Sequence, residues 1–176
     1  LVLGNRDINK MRLRAELDPA HWLSARDHPG VYWRLAQGPH GADATPATWL
    51  AAQELDDTLP NRLKYMLGDT MGAPRTFEFR RRELELLRRD ANGLAAEVSD
   101  EEVLSSFLES VHPPDGLMRR YLSSAQLAVR LGELLFVHGG IQLEALGWVP
   151  ERAERFEDVD EWVEALNNFG RGQVQE

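Results

Sequence analysis

Cysteine is absent from the 176-residue chain, which excludes disulfides, thiolate metal sites and cysteine nucleophiles. Long apolar runs are absent too: no stretch reaches the ~18 residues that a transmembrane helix needs, so we expect no membrane insertion. Positive charge is scarce, since 20 Lys and Arg stand against 29 Asp and Glu and give a net charge of -9. General nucleic-acid binding normally needs a basic face, so this balance argues against it.

The remaining composition is typical of a folded domain. Apolar residues make up 43% of the chain, which is close to the globular average and sufficient for a core at this length. We therefore expect one domain over residues 1–176. Leu1 already lies inside an apolar run and the first methionine is Met11, so we interpret the chain as the downstream part of a longer polypeptide. The lack of cysteine is compatible with a reducing compartment, and we expect an intracellular, cytoplasmic location.

Two short apolar runs end abruptly at small and polar residues. Residues 1–3 (Leu-Val-Leu) are followed by Gly-Asn-Arg-Asp at 4–7, and residues 134–137 (Leu-Leu-Phe-Val) are followed by His-Gly-Gly at 138–140. Each run reads as the end of a buried strand, with a loop after it. Ligands and catalytic groups collect at the carboxyl ends of strands, so the pair of endings predicts a site.

Between these runs the chain is predicted to be mostly helical, from about residue 45 to residue 130. Thr45 followed by Pro46 predicts a helix start, and Ser99 followed by Glu102 predicts a capping box. Pro113 and Pro114 are predicted to end the helix that begins at Ser99, and residues 117–129 are predicted to form the next helix.

Outside that helical stretch the periodicity predicts two further elements. Residues 11–17 alternate apolar and charged side chains, which indicates a half-buried strand. Residues 158–168 form an apolar face at helical spacing, with Gly170 as the stop. Together with a buried strand at residues 133–137, the pattern predicts an α/β fold: part of a sandwich, with a large helical insert at about 45–130.

The two motif loops contain side chains suited to divalent metal ions. Asn5 offers a neutral amide oxygen, and His138 offers an imidazole nitrogen of the kind that Zn, Fe and Mn bind. Phosphate esters are hydrolysed in proteins by pairs of metal ions held ~3.5–4 Å apart. The glycines beside each residue let a phosphate or another strand approach the backbone closely.

These residues carry a resemblance to a known family. Gly4-Asn5-Arg6-Asp7 resembles the Gly-Asn-His-Asp/Glu motif of calcineurin-like metallophosphoesterases. Val137-His138-Gly139-Gly140 is similar to the later His-Gly-Gly motif, especially in the phosphoprotein phosphatase branch. The resemblance implies a β-sandwich flanked by helices, of which residues 1–176 form a partial domain. It also implies two divalent metal ions (Mn, Fe, Zn or Mg) and a phosphorylated substrate of unknown class.

The resemblance also implies a role for each residue of the first motif. Asn5 and His138 are the implied metal ligands, and Asn5 also contacts phosphate. Asp7 is the implied support for the loop. Arg6 replaces the family's histidine; it can hold phosphate with its planar fork but cannot donate a proton near neutral pH.

Three further motifs of the family are missing from the sequence. The Asp-x-His and Gly-Asp-x-x-Asp motifs should precede the first motif, and no Gly-His-x-His follows His138. The leading hypothesis is therefore a metal-dependent phosphoester hydrolase, of which this chain is a fragment lacking the upstream metal-binding motifs.

Two other functions stay open. A catalytically impaired pseudophosphatase could serve as an interaction or assembly module, with the helical insert as its partner surface. An unrelated α/β binding domain could carry both motifs by coincidence, with Asn5 as a plain turn residue. His138 could likewise be a core histidine bonded to a backbone carbonyl.

Arg80, Arg81 and Arg82 could form a phosphate or partner patch, although pairing with nearby glutamates favours a solvated helix face.

Overall fold

The structure is a computed structural model that describes residues 1–18, 26–28, 30, 45–93 and 97–175. It is mixed α/β and mostly helical. Its helices and strands are α1 (Asn5–Ile8), a 3₁₀ turn (Asn9–Met11), α2 (Arg12–Glu16), α3 (Pro46–Ala52), α4 (Leu59–Tyr65), a π-helical turn (Met66–Thr70), α5 (Thr76–Asn92), α6 (Asp100–Val111), α7 (Leu117–Ser123), β1 (Ala128–Leu131), β2 (Leu134–Val137) and α8 (Val159–Gln175).

The backbone divides into two compact units. The first unit combines Leu1–Met11 with Ser110–Glu176, and the second is Arg12–Glu109. Both predicted motifs therefore belong to the first unit. In the described part of the chain, no helix has the length and apolar character to cross a membrane.

The sheet of the first unit is a hairpin. β1 and β2 pair antiparallel, with Ala128 opposite Val137, and Gly132 supplies the left-handed backbone of the turn at φ 61°. The predicted strand at the second motif is therefore confirmed. Its predicted burial is wrong on one face, because Leu134 is 64% exposed and Phe136 is 46% exposed. Only the other face of the hairpin packs on the core of the described residues.

Residues 1–3 pair with Gln126, which precedes the hairpin in the sequence. Val2 forms a parallel bridge with Gln126, two residues before β1, and the amide of Leu3 donates to the carbonyl of Gln126 at 2.8 Å. The predicted buried strand at residues 1–3 is therefore wrong in part, because only Val2 forms a bridge and Leu1 is 66% exposed, although Leu3 is buried. The structure shows the mixed α/β class, with a two-stranded sheet in the described residues; the sandwich architecture stays a prediction.

Two apolar clusters fill the first unit. In one, Leu3 packs with Leu122 of α7 and Val174 of α8. In the other, the inner face of the hairpin packs with Trp162 and Val163 of α8. α8 therefore contributes to both clusters, and its amphipathic pattern is the one that the sequence predicts. The helix continues through Gly170 to Gln175, so the predicted stop at Gly170 is wrong.

A buried asparagine fixes the start of the hairpin. Asn167 is 5% exposed, and its Oδ1 accepts hydrogen bonds from the amides of Leu127 at 2.8 Å and Ala128 at 3.2 Å. Its Nδ2 donates to the carbonyl of Ala128 at 2.9 Å. One side chain thus satisfies three backbone groups at the point where β1 begins.

The second unit shows the predicted helix starts. The hydroxyl of Thr45 accepts from the amide of Thr48, with Pro46 opening α3. Ser99 and Glu102 form the predicted capping box, because the Glu102 carboxylate accepts from the Ser99 amide at 2.8 Å and the Ser99 hydroxyl accepts from the Glu102 amide at 3.2 Å. The predicted helical character of this stretch is confirmed up to α7, but Val129 lies in β1 and not in a helix.

The prediction of a strand at residues 11–17 is wrong. The segment is a 3₁₀ turn followed by α2, and its fully buried residues are Leu13 at 1% exposure and Leu17 at 0%. These two are four positions apart, a spacing that fits a helix face as well as a strand face. Arg12 and Glu16 share the same spacing and form an ion pair at 2.5 Å. A run of seven residues with alternating polarity therefore fits both elements.

The arginines of α5 are ion-paired as predicted, but only Arg82 is solvated, since Arg80 and Arg81 are half-buried. Arg80 pairs with Glu83 at 2.6 Å, and Arg82 pairs with Glu85 at 3.0 Å. Arg81 pairs with Glu78 and also with Asp100 at the start of α6. The arginines thus neutralise glutamates of their own helix and join α5 to α6.

Asp100 is the centre of this network and makes stability depend on pH. Burial raises the pKa of its carboxyl, but hydrogen bonds from Lys64 at 2.5 Å and from Arg81 outweigh it, so the net pKa is lowered. A lowered folded-state pKa means that the stabilisation is present above the unfolded pKa of about 3.9 and is lost as pH falls through the folded value.

We expect Asp100→Asn to destabilise the protein by about 1 kcal/mol at pH 7, a figure already reduced for solvent screening of this 34% exposed carboxylate. The difference from the unsubstituted protein should vanish below the folded pKa. Urea denaturation at pH 7 and at the lowest pH at which the protein stays folded measures both values. Glu101→Gln removes a neighbouring exposed carboxylate from the same helix turn and is the control. A loss that is the same at both pH values would contradict the ion-pair explanation.

Candidate functional site

The first motif forms the start of a helix, so the predicted loop at residues 4–7 is wrong. Gly4 has extended backbone at the N-cap position, with φ -101° and ψ 170°, and Asn5 is the first residue of α1. The Asp7 carboxylate reaches back and accepts from the amide of Gly4 at 2.9 Å. This bond satisfies an amide that the short helix leaves without a helical partner.

The two motifs are in direct contact. Gly4 is buried against the imidazole of His138: a Cβ added at Gly4 would lie 2.7 Å from Cε1 and Nδ1 of the ring and 2.9 Å from Cγ. Real Cβ atoms essentially never approach so closely, so a larger residue at position 4 would force the exposed His138 ring or the backbone to shift. The structure thus places His138 beside the turn on which Asn5 stands.

Asp7 is a charged residue that stabilises the turn formed by residues 4–7, at which α1 begins. The hydrogen bond from the Gly4 amide is the largest cause of its lowered pKa; burial opposes it, while Tyr121, Lys10 and His138 lower the pKa further. The Tyr121 hydroxyl donates to Asp7 Oδ1 at 3.2 Å, and Lys10 Nζ lies 3.9 Å from the same oxygen. With both oxygens engaged by its own surroundings, Asp7 supports the turn.

The remaining predicted residues are accessible to a ligand. Asn5, Arg6 and His138 are all exposed, as are Gly139 and Gly140. Because His138 is exposed, the alternative interpretation of it as a core histidine is wrong. Lys10 donates to the carbonyl of Arg6 at 3.0 Å, so a second cation lies near Arg6.

The donor chemistry fits part of a divalent-metal site. An amide oxygen and an imidazole nitrogen are suitable ligands, and the close packing of Gly4 brings the turn and the ring together. Within the described ranges, however, no group of three or more His, Asp or Glu side chains could hold a metal ion. The described residues therefore supply only some of the ligands that a metal ion needs, and a complete site requires further ligands.

Tyr121 is the residue at this site that sequence reasoning missed. Its spacing with Leu117, Met118 and Leu122 identified it only as part of the apolar face of a helix. Its hydroxyl instead bonds to Asp7, 114 positions away in the sequence. No local pattern predicts such a contact, because it depends on where α7 packs in the first unit.

Comparisons with known proteins gave no match: no family model, no curated protein and no solved structure is similar to the chain.

Proposed function

We propose that this chain carries the Asn5 and His138 portion of the metal centre of a calcineurin-like metallophosphoesterase, and that the protein hydrolyses phosphate esters. The observation that carries the proposal is the contact between Gly4 and the His138 ring. Two motifs from distant parts of the sequence resemble two motifs of one family, and they meet in the first unit. Coincidental motifs would have no reason to lie side by side.

Each residue has a defined task in this proposal. Asn5 and His138 hold the metal, and Arg6 binds the phosphate through its planar fork. Asp7 keeps the turn in place. The metal, when bound, stabilises the negative charge that develops on the phosphate oxygens. Carboxylates equivalent to those of the missing Asp-x-His and Gly-Asp-x-x-Asp motifs are supplied, in the proposal, from outside these 176 residues.

The sandwich architecture is part of the same proposal. The outer face of the hairpin is apolar and exposed, with Leu131 at 63% and Leu134 at 64% exposure. A sheet face of this kind is suited to packing against further structure. Residues 1–3, β1 and β2 would then form one edge of the larger sheet.

The test is site-specific binding of Mn²⁺. Added Mn²⁺ should broaden the NMR signals of the His138 ring and of the Gly4 and Asn5 amides before those of other residues. We expect His138→Ala to weaken binding by about 100-fold or more, because loss of a ligand costs more than the 10–100-fold typical of an outer-shell partner. His28→Ala, which removes an imidazole from the second unit, should leave binding unchanged. Equal affinities for His138→Ala and the unsubstituted protein would refute the proposal.

The alternative function is a pseudophosphatase that binds partners without turnover. Arg6 favours it, because a guanidinium holds phosphate but donates no proton near neutral pH. The two functions are separated by assaying the protein with p-nitrophenyl phosphate and Mn²⁺. Metal binding with turnover supports the hydrolase, whereas metal binding without turnover supports the pseudophosphatase.

A further inference from the structure

Tyr121 connects α7 to the turn of the first motif. The tyrosine is 37% exposed, and its hydroxyl donates to Asp7 Oδ1 at 3.2 Å. Asp7 Oδ2 accepts from the Gly4 amide at 2.9 Å, and Gly4 touches the His138 ring. A continuous series of contacts therefore runs from the tyrosine to the imidazole.

We propose that Tyr121 is a positioning residue, whose hydroxyl orients the Asp7 carboxylate and thereby sets the turn that presents Asn5 beside His138. The effect on the turn stands on the hydrogen bonds alone. The consequence for metal binding rests on the function proposed above.

The geometry explains why a second bond to Asp7 matters. A carboxylate that is held at one oxygen can still rotate about its terminal torsion, whereas bonds to both oxygens fix its plane. α1 has four residues, and so short a helix has little stability of its own. Its start therefore depends on the bond between Asp7 and Gly4, which Tyr121 keeps aligned.

The tyrosine itself is held in a fixed position. Leu122, the next residue of α7, is 4% exposed and belongs to the same apolar cluster as Leu3, which directly precedes Gly4. The backbone at both ends of the Tyr121–Asp7 contact is thus anchored in one core. Lys10 also approaches Asp7 Oδ1, but at 3.9 Å it lies beyond hydrogen-bond distance.

The test removes only the hydroxyl. In Tyr121→Phe, the amide signals of Gly4 and Asn5 should shift, and Mn²⁺ should bind about 10-fold more weakly, as is typical when an outer-shell partner is lost. The melting temperature should stay unchanged, because the ring remains. Ser123→Ala removes another hydroxyl from an exposed position of α7 and should change none of these values.

A double-mutant cycle separates positioning from a general structural effect. If Tyr121 acts through Asp7, then Tyr121→Phe should have no further effect on Mn²⁺ affinity in a protein that already carries Asp7→Ala. Additive effects of the two substitutions would overturn the inference, and so would unchanged Gly4 and Asn5 amides in Tyr121→Phe. If the unsubstituted protein binds no Mn²⁺ while Tyr121→Phe still shifts those amides, the positioning stands and the proposed function fails.

Discussion

Under the proposed function, Gly4→Ala is expected to weaken Mn²⁺ binding at the candidate site strongly. The added Cβ would lie 2.7 Å from the His138 ring, so either the ring or the turn that carries Asn5 must move. The backbone of Gly4, at φ -101° and ψ 170°, is accessible to alanine, so the effect comes from the contact and not from backbone strain. Because the atoms met belong to the exposed ring of His138, we expect a stability loss of no more than about 1 kcal/mol, and about 100-fold or more of lost Mn²⁺ affinity.

The second motif contains matched controls. A Cβ at Gly139 or at Gly140 would have no atom within 4 Å. Gly139→Ala and Gly140→Ala should therefore retain the stability of the unsubstituted protein, although they add the same methyl group next to the same histidine. Calorimetry with Mn²⁺ and thermal unfolding give both values for all three variants. If Gly4→Ala behaves like its controls, the two motifs do not touch in solution.

Asn167→Ala is expected to cause the largest loss of stability, about 3–5 kcal/mol in the first unit, because up to three backbone groups lose their partner at about 1–3 kcal/mol each. The amides of Leu127 and Ala128 and the carbonyl of Ala128 all bond to this side chain. Ala128 is 0% exposed, so water cannot easily replace the lost bonds. Hydrogen exchange at the Leu127 and Ala128 amides should accelerate in step with the loss of stability.

The neighbouring residue offers the control for this substitution. Asn168 is exposed and accepts a hydrogen bond only from a nearby arginine on its own helix. Asn168→Ala should therefore change stability by no more than about 0.5 kcal/mol, as is usual for surface positions. Slow exchange at Ala128 that persists in Asn167→Ala would show that β1 is held by something other than the asparagine.

Features with a local physical cause were predicted well from the sequence. The helix starts at Thr45 and at Ser99 depend on side chains that bond to amides two or three positions away, so a short sequence contains the full signal. The strand at residues 134–137 and the apolar face of α8 follow from short periodicities. The predicted end of α8 at Gly170 failed because a glycine inside a helix costs only about 1 kcal/mol, which tertiary packing outweighs.

Features that depend on contacts between residues far apart in the sequence could not be predicted from local sequence patterns. Residues 11–17 satisfy both a strand period and a helix spacing, and the exposure of Ala15 between the buried Leu13 and Leu17 fits only the helix. Val129 fits a helical face equally well, yet pairing with Phe136 places it in β1. At the candidate site, the residue types of both motifs were visible in the sequence. The contact of Gly4 with His138 and the bond from Tyr121 to Asp7 needed the fold.

The division of the first unit between the two ends of the sequence has a consequence for the order of assembly during synthesis. Leu3 is buried against Leu122 and Val174, and Gly4 rests on His138. Residues 1–11 are translated before all of these partners, which follow more than a hundred positions later in the sequence. The turn that carries Asn5 is therefore translated early, but it gains its packing contacts only after residues 122–174 have been translated. Arg12–Glu109, in contrast, has the residues of its own unit available as soon as it is translated.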